Sequence, residues 1–167
     1  MSNKSVLISI QPQWCKLIAD GKKTMEVRKT KPKLDTPFKV YIYCTNKEVL
    51  AQSSMEGLYF TASRNSEAEL AWCGSKILNG KVIGEFVCNV IECVSIPYPA
   101  YSGELDRRYI EKSCVDYDAL HRYCGHGSLY FWHISNLQIY DNPIPLADFK
   151  GGIKRPPQSW CYINEEE

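Results

Sequence analysis

Short runs of β-branched and aromatic residues, each bounded by Gly, Pro, Asn or Ser, recur from one end of the chain to the other, and the helical patterns between them are brief. Val6 to Ile10, Phe38 to Cys44, Lys81 to Cys93, Leu129 to Ser135, Leu137 to Tyr140 and Ser159 to Ile163 read as strands. Such a chain buries its apolar faces by building sheet, with helices filling the crossovers. In Phe38 to Cys44 the period of two sets Phe38, Val40, Ile42 and Cys44 on one face and Tyr41 and Tyr43 on the other, where exposed tyrosine rings would serve for stacking. Lys81 to Cys93 is the longest run and enters through the turn signal Asn79-Gly80, with Gly84 marking a bulge or corner.

Pro12 suits a first helical position, and a helix over about residues 12–20 would turn Trp14, Leu17 and Ile18 to one side. Residues 45–79 lack strong periodicity and read as an insertion carrying one or two short helices. Pro97, Pro99 and Gly103 break regular structure, after which Tyr109-Ile110 and Asp116 to Tyr123 form short helices stopped at Gly125. Trp14, Phe38, Phe86 and Phe131 are assigned to the core, and the terminal Glu165-Glu166-Glu167 to a disordered acidic end. These elements predict a single α+β domain over 1–167, built on a curled sheet or small barrel.

With 167 residues, 44% of them apolar, the chain can bury a core without disulfides or metal. No apolar run is long enough for a membrane span, and a strand follows the start too soon for a secretory leader, so a cytoplasmic protein without membrane partners is expected. The eight cysteines are spread without tight pairing and sit mostly in apolar strings, consistent with a reducing compartment. Cys114, His121, Cys124 and His126 offer four possible metal ligands, but no Cys-x-x-Cys knuckle; no metal is assigned. A net charge of +1 argues against indiscriminate duplex binding, yet residues 1–40 hold nine bases against three acids, a net of +6 that leaves −5 for the rest. That asymmetry predicts a local anion-binding patch between Lys22 and Lys39.

The densest chemistry lies in Gly21-Lys22-Lys23-Thr24-Met25-Glu26-Val27-Arg28. Gly21 can end the preceding helix in a left-handed conformation, so that a turn presents Lys22 and Lys23. In the strand that follows, Met25 and Val27 face the core while Thr24, Glu26 and Arg28 share the other face. Glu26 can accept hydrogen bonds from an exocyclic amine, and Arg28 can either hold a phosphate or orient Glu26. Gln11 for edge reading and Tyr43, Trp132 and Trp160 for stacking complete a base-recognition set.

The run Gly21-x-Lys23-x-x-Glu26-x-Arg28, preceded by Ser9-Ile10-Gln11-Pro12 and a short helix, resembles the signature of the ASCH (activating-signal-cointegrator homology) family of the PUA-like superfamily. Gly80 to Phe86, Tyr130 to Asn136 and Ile153 to Ile163 also resemble segments of bacterial and phage ASCH proteins. The resemblance implies a small PUA-like β-barrel with flanking and inserted helices. It also implies a cleft lined by the signature residues, and a partner that is RNA, a nucleotide or a modified base; no cofactor is implied. His133, in the Tyr130 to Asn136 segment, would line or underlie that cleft. Some ASCH-like proteins are amidohydrolases of N4-acetylcytidine that use a lysine, a threonine and a glutamate. Lys23 matches the lysine, Glu26 stands where the threonine falls, and Thr24 would have to substitute from two residues earlier. A binding module leads; a small amidohydrolase on N4-acylated nucleosides, a nuclease and a protein-interaction adaptor are the alternatives.

Overall fold

A computed structural model describes residues 3–97 and 105–166; Pro99, Gly103 and Glu167 lie outside them. The chain runs β1 (Lys4–Ile10), α1 (Pro12–Ala19), β2 (Met25–Arg28), β3 (Phe38–Cys44), β4 (Val49–Gln52), β5 (Tyr59–Ala62), α2 (Glu67–Trp72), β6 (Lys76–Ile77) and β7 (Lys81–Cys88). It continues through β8 (Ile91–Ser95), α3 (Arg107–Ser113), α4 (Tyr117–Cys124), β9 (Ser128–His133), β10 (Ser135–Pro145) and β11 (Trp160–Asn164).

These strands form three sheets, ordered β10-β7-β3-β1-β11, β2-β9-β8 and β5-β4-β6, and none closes on itself. The barrel expected from the sequence is therefore corrected to open sheets in an α+β fold. The reason lies at two corners. The run 81–93 is not one strand: it leaves the first sheet after Cys88 and joins the second at Ile91, and β9 and β10 make the reverse crossing at Ile134. β1 and β3 are parallel, with α1 in the crossover between them, while the other pairs of the five-stranded sheet are antiparallel.

Both faces of the five-stranded sheet are covered. Val6, Ile8, Ile10, Phe38, Val40, Ile42 and Cys44 pack with Cys15 and Ile18 of α1 and with Trp132 of β9. Leu7, Tyr41 and Tyr43 fall on the opposite face, as period two requires, but that face is a second core closed by Leu146, Phe149 and Ile163. Tyr41 and Tyr43 are only 2% and 5% exposed, so the expectation of stacking tyrosines is wrong. The segment after β10 folds back over them, and Phe149 meets Tyr41 edge-on at 5.0 Å between ring centroids. A third core joins Met25 and Val27 of β2 and Phe131 of β9 to Leu120 of α4.

β7 shows how one glycine sets register. Val82 belongs to the second core, while Ile83, Phe86 and Cys88 all belong to the first, so the alternation slips by one residue between 83 and 86. The pairing with β3 shifts there too, from Ile42↔Gly84 to Tyr43↔Val82, which is a bulge. A Cβ on Gly84 would sit 2.4 Å from the Gln138 carbonyl oxygen of β10, so the bulge admits no side chain.

The 45–79 insertion holds α2 and a 3-10 turn (Arg64–Ser66), and also the three-stranded sheet that the sequence did not predict. Val49, Leu50 and Ala51 are all buried, so β4 has no polar alternation to betray it. Asn79 ties the base of the insertion: its Oδ1 accepts from Leu50 N at 2.7 Å, and its Nδ2 donates to Thr45 O at 2.8 Å and Glu48 O at 2.5 Å. Nor is the acidic end free. Glu165 accepts from Tyr41 Oη at 2.8 Å and pairs with Lys150, which anchors the chain after β11. No helix among the described residues is long and apolar enough to cross a membrane.

Candidate functional site

α1 ends as the sequence requires. Gly21 adopts φ +75°, and the amides of Gly21, Lys22 and Lys23 donate back to Ile18 and Leu17, which swings the chain into β2. The turn splits the two lysines. Lys22 is exposed, whereas Lys23 is 2% exposed and points inward. Its Nζ donates to the Ser113 carbonyl at the end of α3 (2.6 Å), stands 3.5 Å from Glu26 Oε2, and lies 5.0 Å from the centroid of the Trp14 ring.

Glu26 and Arg28 share the β2 face opposite Met25 and Val27, and both are buried, at 5% and 9% exposure. Arg28 Nε donates to Glu26 Oε1 at 3.1 Å. Its remaining nitrogens are spent on the scaffold: Nη2 donates to Ser9 O of β1 (2.6 Å), and Nη1 donates to Ser159 Oγ (3.2 Å), just before β11. The guanidinium thus clamps one carboxylate oxygen while tying β2 to β1 and to the segment ahead of β11. Glu26 Oε2 is buried and has no hydrogen-bond partner. Its charged neighbour is the Lys23 ammonium at 3.5 Å, an ion pair too long for a good hydrogen bond, so the oxygen keeps unused acceptor capacity.

Glu26 belongs to the lining of a cavity of about 480 Å³ that Lys23, Arg28 and Ser9 also border. One wall is Trp14 of α1, the other Ala119, Leu120 and Tyr123 of α4, and the rim carries Gln11, Thr45, Lys47 and Gln158. Such a volume lies within the range of small-molecule sites. Burial lowers the Lys23 ammonium from its ordinary value; Glu26 and Cys114 push back upward, and Arg28 adds a smaller lowering effect.

Of the residues singled out from sequence, Gln11, Lys23, Glu26 and Arg28 meet at the cavity; Lys22, Thr24, Tyr43, Trp132, His133 and Trp160 do not line it. Thr24 is exposed ahead of β2, its backbone bonded to Lys112 and Ile134. Trp132 is fully buried and pairs across the ladder with Glu26, so it underlies the acid instead of stacking on a ligand. His133 points to the Met25 side of that sheet and bonds Glu92 at 3.0 Å. Trp160 packs near Trp132 and donates to Thr30 Oγ1. Cys114 caps α3 with φ 58°, and the described residues hold no group of three His, Cys, Asp or Glu placed to take a metal.

Sequence reasoning missed Trp14, Lys47 and Tyr123. Trp14 was assigned to the core by its hydrophobicity, and Lys47 lies in the aperiodic insertion. Tyr123 sits one residue before the end of α4, and nothing local announces that α4 faces β2.

No family model and no curated protein matches the sequence. Among solved structures, the crystal structure of ASCH from Zymomonas mobilis superposes with a TM-score of 0.63 at 21% identity, over 99% of this chain and 91% of that one. A serine-to-alanine mutant of the Zymomonas mobilis protein gives 0.67 at 20% identity, over 99% and 92%. Matched over 99% of its length at this level, the chain has the fold of the Zymomonas mobilis ASCH structures.

Proposed function

We propose that this ASCH-fold domain is a recognition module that seats one base of single-stranded RNA, or a free nucleotide or modified base, in the cavity between α1 and α4. The observation that carries this reading is a cavity of nucleotide size lined by Lys23, Glu26 and Arg28, in which the Glu26 Oε2, ion-paired with Lys23, makes no hydrogen bond. That oxygen asks for a donor, which an exocyclic amine supplies, as when acids accept from cytosine. Trp14 and Tyr123 provide aromatic walls, and Lys47 at the rim is the cation nearest a sugar-phosphate. Arg28 is assigned to holding Glu26 instead, because each of its nitrogens already donates within the protein. The test is calorimetric titration of the four ribonucleoside monophosphates. Glu26→Gln should weaken the amine-bearing ligands by about tenfold or more, the value of a lost charge-assisted bond. Equal affinity in both proteins would refute the proposal.

One observation favours a second reading, a hydrolase of N4-acylated cytidine-type nucleosides: burial has lowered the ammonium of a lysine that sits beside a carboxylate. Glu26 would take the proton of a water attacking the acyl carbon while Lys23 donates to the acyl oxygen, and Glu26 would then pass that proton to N4 as the C–N bond breaks, releasing the carboxylic acid and the free amine. Thr24, exposed outside the cavity, has no part in it. Release of acetate from N4-acetylcytidine, abolished by Lys23→Ala and by Glu26→Gln, would establish this reading; no release across a panel of acyl groups would discard it.

A further inference from the structure

Two segments beside the cavity carry cations and no acid: Lys29-Thr30-Lys31-Pro32-Lys33 and Lys154-Arg155-Pro156-Pro157-Gln158. The fold brings them to the same edge. The first lies along β11, the outer strand of the five-stranded sheet, through Trp160 Nε1 donating to Thr30 Oγ1 (3.0 Å) and Lys33 N donating to Tyr162 Oη (2.8 Å). The second leads into β11; Gln158 lines the cavity and Pro157 O accepts from Ser9 Oγ at 2.6 Å. Lys31, Lys33, Lys154 and Arg155 are exposed, and none forms an ion pair among the described residues. Elsewhere Lys39, Arg64 and Arg107 are matched by Glu85, Glu67 and Glu111, while Lys22, Lys47, Lys112 and Arg122 are also exposed outside any ion pair among the described residues; what sets the four apart is that two tethered segments gather them on one sheet edge. Unmatched cations on one edge of a chain whose net charge is only +1 call for an anion from outside.

The patch also holds aromatic surface. Trp160 and Tyr162 stand two residues apart on the same face of β11, their rings 5.4 Å apart, and Tyr162 is 40% exposed with Lys4 over its ring. Lys29 joins this edge to the cavity, since its Nζ lies 4.9 Å from the centroid of Tyr123 in the cavity wall. Cations beside aromatic faces are what a single-stranded backbone with free bases requires. We infer that the strand flanking the seated base leaves the cavity past Lys29 and runs along the β11 edge, its phosphates held by Lys31, Lys33, Lys154 and Arg155. This deepens the proposed function and rests on it: the cavity reads one base, and the β11 edge makes the partner a polynucleotide instead of a free nucleotide.

The test compares a cytidine-rich RNA nonamer with cytidine 5′-monophosphate, on the wild type and on a Lys31→Glu/Lys33→Glu/Lys154→Glu/Arg155→Glu variant. For the wild type the nonamer should bind tighter than the mononucleotide, with an affinity that falls as salt rises by about 0.7 in the log–log slope per phosphate held. The variant should lose about tenfold or more on the nonamer, with a flatter slope, and keep its mononucleotide affinity. Mononucleotide binding with no gain on lengthening would overturn the track and leave the cavity reading intact. A nonamer affinity unaffected by the charge reversals, or a polyphosphate of equal charge competing as well as the nonamer, would also overturn it. Failure of the wild type to bind either probe would remove both readings.

Discussion

Lys23 is the residue whose behaviour most sharply separates a built site from an accidental one. A lysine put in a cavity wall by chance would snorkel to water, but this one is sealed among Ser113 O, Glu26 and the Trp14 ring. Burial lowers its pKa, so between that lowered value and about 10.4, the ordinary value in an unfolded chain, the unfolded state binds more protons than the folded one. Stability contributed at this position therefore rises with pH across that window, as the cost of burying a charge is relieved. Denaturant titrations of the wild type and of Lys23→Met at a series of pH values should show the difference in unfolding free energy moving towards the wild type as pH rises through it. A flat difference, or one of opposite slope, would mean that the ammonium is solvated and the cavity open to water there.

At the scale of elements, β7 and β11 carry the arguments. Gly84→Ala drives a Cβ into the Gln138 carbonyl, and neither backbone can yield without disturbing the β7–β10 ladder. Overpacking of this kind costs about 1–3 kcal/mol, occasionally more, and should lower the denaturation midpoint accordingly; a midpoint equal to wild type would show that the bulge is slack. The anchor after β11 makes a pH-dependent claim. Burial raises the Glu165 carboxyl, but hydrogen bonds from Lys150 and Tyr41 outweigh it and hold the group at about 2. Its contribution is thus complete above the ordinary glutamate value of about 4.3 and is lost as pH falls from there through about 2. Acid unfolding of Glu165→Gln should lack that component. An unchanged acid limb would mean that the contacts of Glu165 are not kept in solution.

For the whole molecule, what could be read from sequence follows physical locality. The strands at Val6, Phe38 and Ser128, the helix after Pro12 and the two faces of β2 were legible because period two and capping are written in neighbouring residues. Which face is solvent is decided by what packs on it, so Tyr41 and Tyr43 were read as exposed when a segment about a hundred residues later covers them. Sheet closure was misjudged for the same reason: the corners at Asn89-Val90 and Ile134 are breaks of two residues and one, which pattern cannot rank above a continuous strand. In the cavity, Lys23, Glu26 and Arg28 came from one motif, whereas Trp14, Lys47 and Tyr123 arrive from three other places in the chain.

The central claim is that Glu26 Oε2 waits for a donor on a nucleobase. A crystal of the protein soaked with cytidine 5′-monophosphate tests it most directly. The account predicts the ring between Trp14 and Tyr123, with its exocyclic nitrogen about 2.7–3.1 Å from Glu26 Oε2 and its phosphate towards Lys47. A nucleotide lodged elsewhere on the surface, or seated in the cavity with its phosphate against Glu26, would contradict it.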